Sequence, residues 1–262
     1  MTSVITAVLL LSGIGLLLGI GLGFAAHFMA VKENEKAKEI LSVLPGANCG
    51  GCGFSGCAGY AKALAEQKVA ANNLCPVGGD EVAKSIAAIL GTQAGKTVKK
   101  TAHVRCRGTE ECRVRIADYE GIKTCRAAAA IYSGGSGCAY GCLGFGDCAA
   151  VCEKNAITVR RGVAVVDESL CAACGKCASA CPKKLISVTQ SNAPCVLCRN
   201  PEKGPATKAV CASGCIGCRL CLKACPTSAI EMEGNVARID PEKCTGCGAC
   251  ASACKFGVIR LS

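Results

Sequence analysis

The chain begins with its most apolar stretch. Residues 4–31 form a nearly continuous hydrophobic run without a charged residue, and about 20 such residues are enough for a helix to cross a bilayer. A signal peptide would need a basic first region and a small-residue cleavage site, but residues 1–31 contain no Lys or Arg. We therefore predict an uncleaved, single-pass helix at residues 1–31, in contact with the lipid bilayer.

Beyond the run, the hydrophobic pattern predicts an α+β fold of small modules. Residues 58–71 are predicted to be helical, and residues 80–90 are predicted to form a capped helix that ends at Gly91. Four short alternating segments predict paired strands: residues 155–159, 163–167, 228–232 and 236–240. The predicted organisation is the anchor (1–31), a small helical domain (32–95), a basic segment (96–137), a first module (138–190), a second linker (191–214) and a second module (215–262).

The 26 cysteines decide the chemistry of these modules. In the second module, two successive C-x2-C-x2-C-x3-C runs are the mark of a two-cluster bacterial ferredoxin. Three cysteines of one run and the last of the other hold each 4Fe–4S cluster. This crossing gives two ligand sets: Cys215, Cys218, Cys221 and Cys254; and Cys244, Cys247, Cys250 and Cys225.

The first module repeats this arrangement with a stretched first run, C-x3-C-x5-C-x3-C. The same crossing predicts two further ligand sets: Cys138, Cys142, Cys148 and Cys181; and Cys171, Cys174, Cys177 and Cys152. The helical domain contains a different motif, C-x2-C-x4-C-x17-C, whose glycines let the backbone approach a cluster. It predicts a fifth cluster on Cys49, Cys52, Cys57 and Cys75.

Zinc and disulfides are the alternatives for these cysteines. Structural zinc usually uses two Cys-x-x-Cys pairs with a longer spacer than these runs contain, and closely spaced thiols cannot all form disulfides of good geometry. The formal charge of +11 does not indicate nucleic-acid binding, because each oxidised cluster with four thiolates carries about −2. Five clusters therefore offset most of the Lys and Arg excess.

Six cysteines stand outside these sets: Cys106, Cys112, Cys125, Cys195, Cys198 and Cys211. Cys106 lies in Val-Arg-Cys-Arg and Cys198 in Val-Leu-Cys-Arg, each ahead of a module, so the segment is duplicated. One hypothesis is a sixth cluster that draws ligands from both segments, on Cys106, Cys125, Cys198 and Cys211. The alternative is buried free thiols, since free Cys packs as a small hydrophobic residue.

With Leu-Pro-Gly-Ala-Asn-Cys49-Gly-Gly-Cys52-Gly-Phe-Ser-Gly-Cys57 behind an apolar anchor and two ferredoxin modules after it, the chain resembles the B subunit of the Rnf complex. The resemblance implies a membrane complex that oxidises reduced ferredoxin, reduces NAD and moves Na⁺ or H⁺ outward. It implies membrane-embedded and flavin-bearing subunits as partners, with this chain as the electron entry. No nucleotide-binding G-x-G-x-x-G follows a predicted strand and no catalytic residue is predicted, so this chain would carry electrons only.

Two rival functions remain. One is a membrane-tethered, polyferredoxin-like carrier that is not coupled to ion transport. The other is a corrinoid-protein component, because the cysteine motif at residues 49–75 is similar in those proteins; no cobalamin-binding domain is recognisable here.

A separate hypothesis places ferredoxin docking on the basic segment, at Arg113, Arg115 and Lys123.

Orientation gives a first test. Lys32, Lys36 and Lys38 follow the anchor at once, so the positive-inside rule places residues 40–262 on the cytoplasmic side of the cell membrane, where reducing conditions keep thiols free for metal. A protease added outside intact cells should leave residues 40–262 uncut and should cut them after lysis. Cleavage before lysis would reverse the orientation.

Overall fold

The computed structural model of the chain describes residues 2–28, 34–191 and 193–261. The α-helices in these residues are α1 (Thr2–Phe28), α2 (Glu35–Val43), α3 (Cys57–Ala65), α4 (Gly79–Leu90), α5 (Cys125–Ala130), α6 (Asp147–Ala150), α7 (Lys176–Ala180), α8 (Gly204–Val210), α9 (Leu220–Ala224) and α10 (Ala249–Ser252). The strands are β1 (Lys100–Val104), β2 (Ile157–Arg160), β3 (Val163–Val166), β4 (Ile186–Gln190), β5 (Cys195–Val196), β6 (Ile230–Glu233), β7 (Val236–Ile239) and β8 (Ile259–Arg260).

The predicted membrane span, residues 1–31, includes helix α1. In the parts of the chain that the structure describes, no helix is long and apolar enough to cross a membrane. The end of the predicted span and Lys32 fall in residues 29–33, which lie outside the described residues.

Helices α2, α3 and α4 form a small domain around Ile40, Tyr60, Leu64 and Ile86, all of them almost fully buried. Helix α4 agrees with the prediction for residues 80–90. Helix α3 is shorter than predicted, because Gln67 takes a left-handed backbone conformation (φ 54°) just after it. The chain therefore turns away and leads back toward Cys75.

The two ferredoxin units share one plan. The second unit repeats the first at a constant spacing, so that Cys211 follows Cys138 and Cys254 follows Cys181 by the same 73 positions. Each unit has an inner antiparallel hairpin, β2–β3 or β6–β7. The equivalent pairs Ile157–Val166 and Ile230–Ile239 open the two hairpins in the same register.

Each unit also has an outer antiparallel pair, and its first strand comes from a segment that the sequence predicted to be a linker. Strand β1 pairs with β4, and β5 pairs with β8. Beyond these pairs, the N–H of Arg105 donates to the carbonyl of Leu185 (2.8 Å), and the N–H of Leu197 donates to that of Val258 (2.7 Å). The segments that carry Cys106 and Cys198 are therefore held against their units at equivalent positions.

The cores of both units contain few large side chains. In the first, Val104, Ile157 and Leu185 pack together with the ligand candidates Cys142, Cys148 and Cys177. In the second, Val236 and Val258 pack with Cys198, Cys221 and Cys250. The cysteines are thus part of the cores, which agrees with the 3% aromatic content.

A close contact between backbones fixes the hairpin of the first unit. Gly144 has a φ of 79°, and a Cβ built on it would lie 2.7 Å from the carbonyl oxygen of Gly162. Its equivalent Gly217 (φ 70°) approaches Asn235 in the same way, at 2.8 Å. Only glycine tolerates both the left-handed conformation and this approach.

We expect Gly144→Ala to destabilise the first unit more than Gly175→Ala does. Gly175 has the same φ of 79° but no atom within 4 Å of the added Cβ, so its substitution costs only the backbone strain of about 1–2 kcal/mol. Denaturant unfolding of the iron-loaded proteins measures the loss in free energy of unfolding for each variant. Equal losses would mean that the Gly162 contact relaxes at no cost.

Candidate metal centres

The helical domain brings three of its four predicted ligands close together. Cys57 begins α3, and its N–H donates to the Asn48 side-chain oxygen (2.9 Å). The N–H of Gly78 donates to the Cys75 sulfur (3.4 Å). Burial raises the pKa of the Cys75 thiol, and the nearby Cys57 and Cys52 raise it further. The fourth ligand, Cys49, belongs to the same loop, where a Cβ on Gly51 would lie 3.5 Å from its sulfur.

In the ferredoxin units, one turn recurs after the last cysteine of every run. In each case the N–H four residues later donates to the cysteine sulfur: Ala156 to Cys152 (3.3 Å), Leu185 to Cys181 (3.4 Å), Ala229 to Cys225 (3.3 Å) and Val258 to Cys254 (3.3 Å). The third residue of each turn is left-handed: Asn155, Lys184, Ser228 and Gly257, with φ from 48° to 57°. The turn forms with or without a proline after the cysteine. Hydrogen bonds to cysteine sulfur are one of the controls on cluster reduction potential.

Two of the predicted ligand sets in these units each line one cavity. The first set is Cys152, Cys171, Cys174 and Cys177, around a cavity of about 380 Å³. The second set is Cys215, Cys218, Cys221 and Cys254. In a third predicted set, Cys250 lies near Cys244 and Cys225, and Cys247 is exposed on the same loop.

Around the remaining site, the cysteines that line the cavity differ by one from the predicted set. The cavity that contains Cys142, Cys148 and Cys181 is completed by Cys125, and Cys138 does not line it. The carboxylate of Asp147 holds Cys125 there by accepting from the N–H groups of Cys125 (2.8 Å) and Arg126 (3.0 Å).

The reason for the exchange lies in the repeat. Phe145 occupies the position that Cys218 has in the second unit, and it packs on Tyr119, with ring centroids 5.6 Å apart. The segment between Cys106 and Cys138 is longer than its counterpart between Cys198 and Cys211. This extra length supplies both Tyr119 and Cys125.

Cys138 lines a different cavity, between the two units. There it meets Cys106, Cys198 and Cys211, a group that we call the bridging site. The sequence hypothesis had three of these residues and placed Cys125 where the structure places Cys138. The missed signal is the similarity of Cys138-Ala-Tyr-Gly-Cys142 to Cys211-Ala-Ser-Gly-Cys215, which makes Cys138 the equivalent of Cys211, as Cys106 is of Cys198.

The bridging site is suited to an anionic group. Side-chain nitrogens of Arg105, Arg113 and Asn200, which line the cavity, are buried without a hydrogen-bond partner. Sulfides and thiolates of a cluster would accept from such donors. Burial raises the pKa of the Cys138 thiol to about 11, so the thiolates would form there only together with iron.

Other sites have the same need for iron, because burial raises the pKa of Cys148 to about 12. Among the described residues, no three His, Cys, Asp or Glu side chains converge on a single-ion position. Four of the cysteine groups instead line cavities.

Three family models match the chain where these sites lie. A putative Fe–S cluster model matches residues 44–77, a 4Fe–4S binding domain matches residues 164–187, and a 4Fe–4S dicluster domain matches residues 214–258. These matches support an Fe–S cluster in the helical domain and 4Fe–4S clusters in both ferredoxin units.

Full-length relatives decide the family. The B subunit of the ion-translocating oxidoreductase complex of Methanosarcina acetivorans is 44% identical over 92% of this chain and 91% of its own length. The chain belongs to the family of Rnf complex B subunits. The B subunit of the Na⁺-translocating ferredoxin:NAD⁺ oxidoreductase complex of Acetobacterium woodii is 41% identical over 93% of this chain and 74% of its own. That of the proton-translocating complex of Clostridium ljungdahlii is 36% identical over 93% and 87%.

Two cysteines of this Rnf B-family chain, Cys112 and Cys195, belong to none of the cysteine groups described above. Cys112 is half-exposed, and hydrogen bonds from Ser213 and Thr109 lower the pKa of its thiol. Burial raises the pKa of Cys195 to about 11. The two thiols should therefore differ in reactivity, because the thiolate is the nucleophile.

Alkylation of the iron-loaded protein measures this difference. Iodoacetamide at pH 8 should label Cys112 well before Cys195, since a lowered pKa gives more thiolate at a given pH. Thr109→Val should slow the labelling of Cys112 by removing one donor. Equal labelling of the two thiols would contradict the assigned environments.

Proposed function

We propose that this chain carries electrons from reduced ferredoxin, through six 4Fe–4S clusters in series, to partner subunits of an ion-translocating complex that reduces NAD. The observation that carries the proposal is a continuous succession of cysteine sites from the helical domain to the second ferredoxin unit. The chain is an electron-transfer subunit and not a full enzyme by itself.

The succession begins at the helical domain. The cavity of Cys152, Cys171, Cys174 and Cys177 is also lined by Pro45, Ala47 and Val77, which flank the helical domain's own ligands. Lys176 lies near enough to both Cys49 and Cys174 to interact with their charges. The second site of the first unit is therefore next to the site of the helical domain.

The bridging site continues the succession between the two units. On one side, the N–H of Cys142 donates to the sulfur of Cys106 (3.4 Å). On the other, Cys198 shares a buried core with Cys221 and Cys250, and it lies near Cys215. Without the bridging site, the two units would lack a cluster at their junction.

The clusters would each accept and release one electron with little rearrangement of their thiolate ligands. The protein's part is to space the sites, to exclude water from them and to direct N–H donors at the sulfurs. The ligands assigned to the sixth cluster are Cys106, Cys138, Cys198 and Cys211. The twenty cysteines of the five predicted sets all remain ligands in this proposal. Cys125, Cys106, Cys198 and Cys211 are added to them.

Electrons would enter at the second unit. Cys218 and Cys247, both in that unit, are the two exposed cysteines of the described residues. The helical domain lies at the other end of the succession and directly follows α1. A donor that touches the second unit therefore reaches ligands without crossing the rest of the chain.

Helix α1 would attach the chain to the membrane, with the clusters on the cytoplasmic side. Large apolar side chains along it, such as Leu9, Leu11, Leu17 and Leu22, are about 70% exposed. Contiguous apolar surface of this kind marks membrane or protein contact.

Purification in mild detergent tests the assignment to the complex: flavin-bearing membrane subunits should co-purify, whereas a chain isolated alone would favour an uncoupled carrier.

The iron content tests the six sites. Anaerobically purified protein should contain about 24 Fe, four per cubane. Cys138→Ser and Cys198→Ser should each remove about four, and Cys195→Ser should remove none. A wild-type content of about 20 Fe, unchanged in Cys198→Ser, would leave five clusters and no bridging cluster.

The entry point can be tested with charge reversals. The three cations of the predicted docking site are engaged within the chain: Arg113 donates to the carbonyl of Cys142, Arg115 pairs with Asp118, and Lys123 donates to the carbonyl of Tyr119. We expect Arg219→Glu with Lys223→Glu, both exposed beside the second unit's sites, to slow reduction by an acidic ferredoxin several-fold.

The matched control for this test is Arg115→Glu, which reverses an exposed charge on the other segment. It should leave the rate of reduction unchanged, and raised salt should slow the wild type but not the Arg219 and Lys223 variant. Slowing by the control alone would move the entry point to the basic segment.

A further inference from the structure

The bridging site has a charge environment unlike that of its neighbours. Among the described residues, four arginines line its cavity, Arg105, Arg107, Arg113 and Arg199, and no carboxylate does. The cavity of Cys125, Cys142, Cys148 and Cys181 is lined by one acidic and one basic residue, Asp147 and Lys183. The cavity of Cys215, Cys218, Cys221 and Cys254 has one cation, Arg219.

Two of these arginines are held by reciprocal contacts between the units. Arg107, next to Cys106, donates to the carbonyls of Phe256 and Gly257 in the second unit. Arg199, next to Cys198, donates to the carbonyls of Lys183 and Lys184 in the first unit. Acceptors and donors occupy equivalent positions of the repeat, so the pair forms a pseudo-twofold clamp around the cavity.

The third arginine has no counterpart in this clamp. Arg113 donates to the carbonyl of the ligand candidate Cys142 and to that of Gly162 (3.2 Å), so its charge is fixed between the bridging site and the first unit. The fourth, Arg105, has a buried nitrogen without a partner. The charges of Arg107, Arg113 and Arg199 are therefore held in place before any electron arrives.

Fixed cations stabilise a site when it gains negative charge. Reduction adds one electron to a cluster and breaks no bond, and net charge and hydrogen bonds to sulfur set the potential. We propose that the four arginines give the bridging site a higher reduction potential than the neighbouring sites of both ferredoxin units, so that an electron passing between the units rests there. This proposal depends on the six-cluster function described above.

An EPR-monitored redox titration of the full-length, iron-loaded protein tests this proposal. The signal that Cys198→Ser removes identifies the bridging cluster. In the wild type it should be reduced at a higher potential than the signals of its neighbours. In Arg105→Met its reduced-to-oxidised ratio at a fixed potential should fall about tenfold, which corresponds to about 59 mV for a one-electron couple.

Two matched variants separate charge from packing. Arg105→Lys keeps the charge and should keep the potential close to that of the wild type. Arg115→Met removes an exposed charge that pairs with Asp118 and does not line the cavity, and it should move no signal.

The outcomes distinguish this proposal from the function on which it rests. About 24 Fe with a bridging potential at or below that of its neighbours, or unmoved in Arg105→Met, would overturn the role of the arginines and leave the six clusters intact. About 20 Fe in the wild type would instead remove the bridging cluster itself.

Discussion

A backbone N–H that donates to cysteine sulfur is the contact around which both ferredoxin units are built. The chain has to reverse direction after the last cysteine of a run while keeping that N–H on the sulfur, and a left-handed residue at the third position achieves this. Lys184 and Ser228 accept the strain of that conformation, whereas Gly257 and Asn155 are residue types that adopt it more readily. The next residues then enter the strands, so ligand geometry and strand register are set together.

Much of this fold could be predicted from cysteine spacing and from the strand patterns beside it. The inner hairpins, the helices around Tyr60 and the grouping of Cys215, Cys218, Cys221 and Cys254 at one cavity follow from short-range patterns. The outer strand pairs could not be found in this way, since β1 and β4 are far apart in sequence and β5 has only two residues. Segments that connect modules in the sequence are therefore strands of those modules in the structure.

The exchange of Cys125 and Cys138 shows where cysteine spacing no longer predicts which residues share a site. A ligand set within one run is limited by the reach of a few residues, but the fourth ligand can come from any segment that packs nearby. Asp147 caps the helix that Cys125 begins and draws it to the first unit, a tertiary contact without a local sequence mark. Cys138, displaced from that role, is then available at the junction of the units. The constant spacing of the repeat therefore identifies Cys138 as the equivalent of Cys211, which the spacing of cysteines within a run does not.

The clamp formed by Arg107 and Arg199 has a consequence for how the chain matures during synthesis. Arg107 donates to a carbonyl that lies 150 residues further along the chain. The group of Cys106 also includes Cys198 and Cys211, which are synthesised later. The residues of the first ferredoxin unit end with β4 at Gln190, whereas the cavity at the junction is complete only after the second unit has folded against it. The cysteine group that links the two halves is therefore completed after the groups of the first unit.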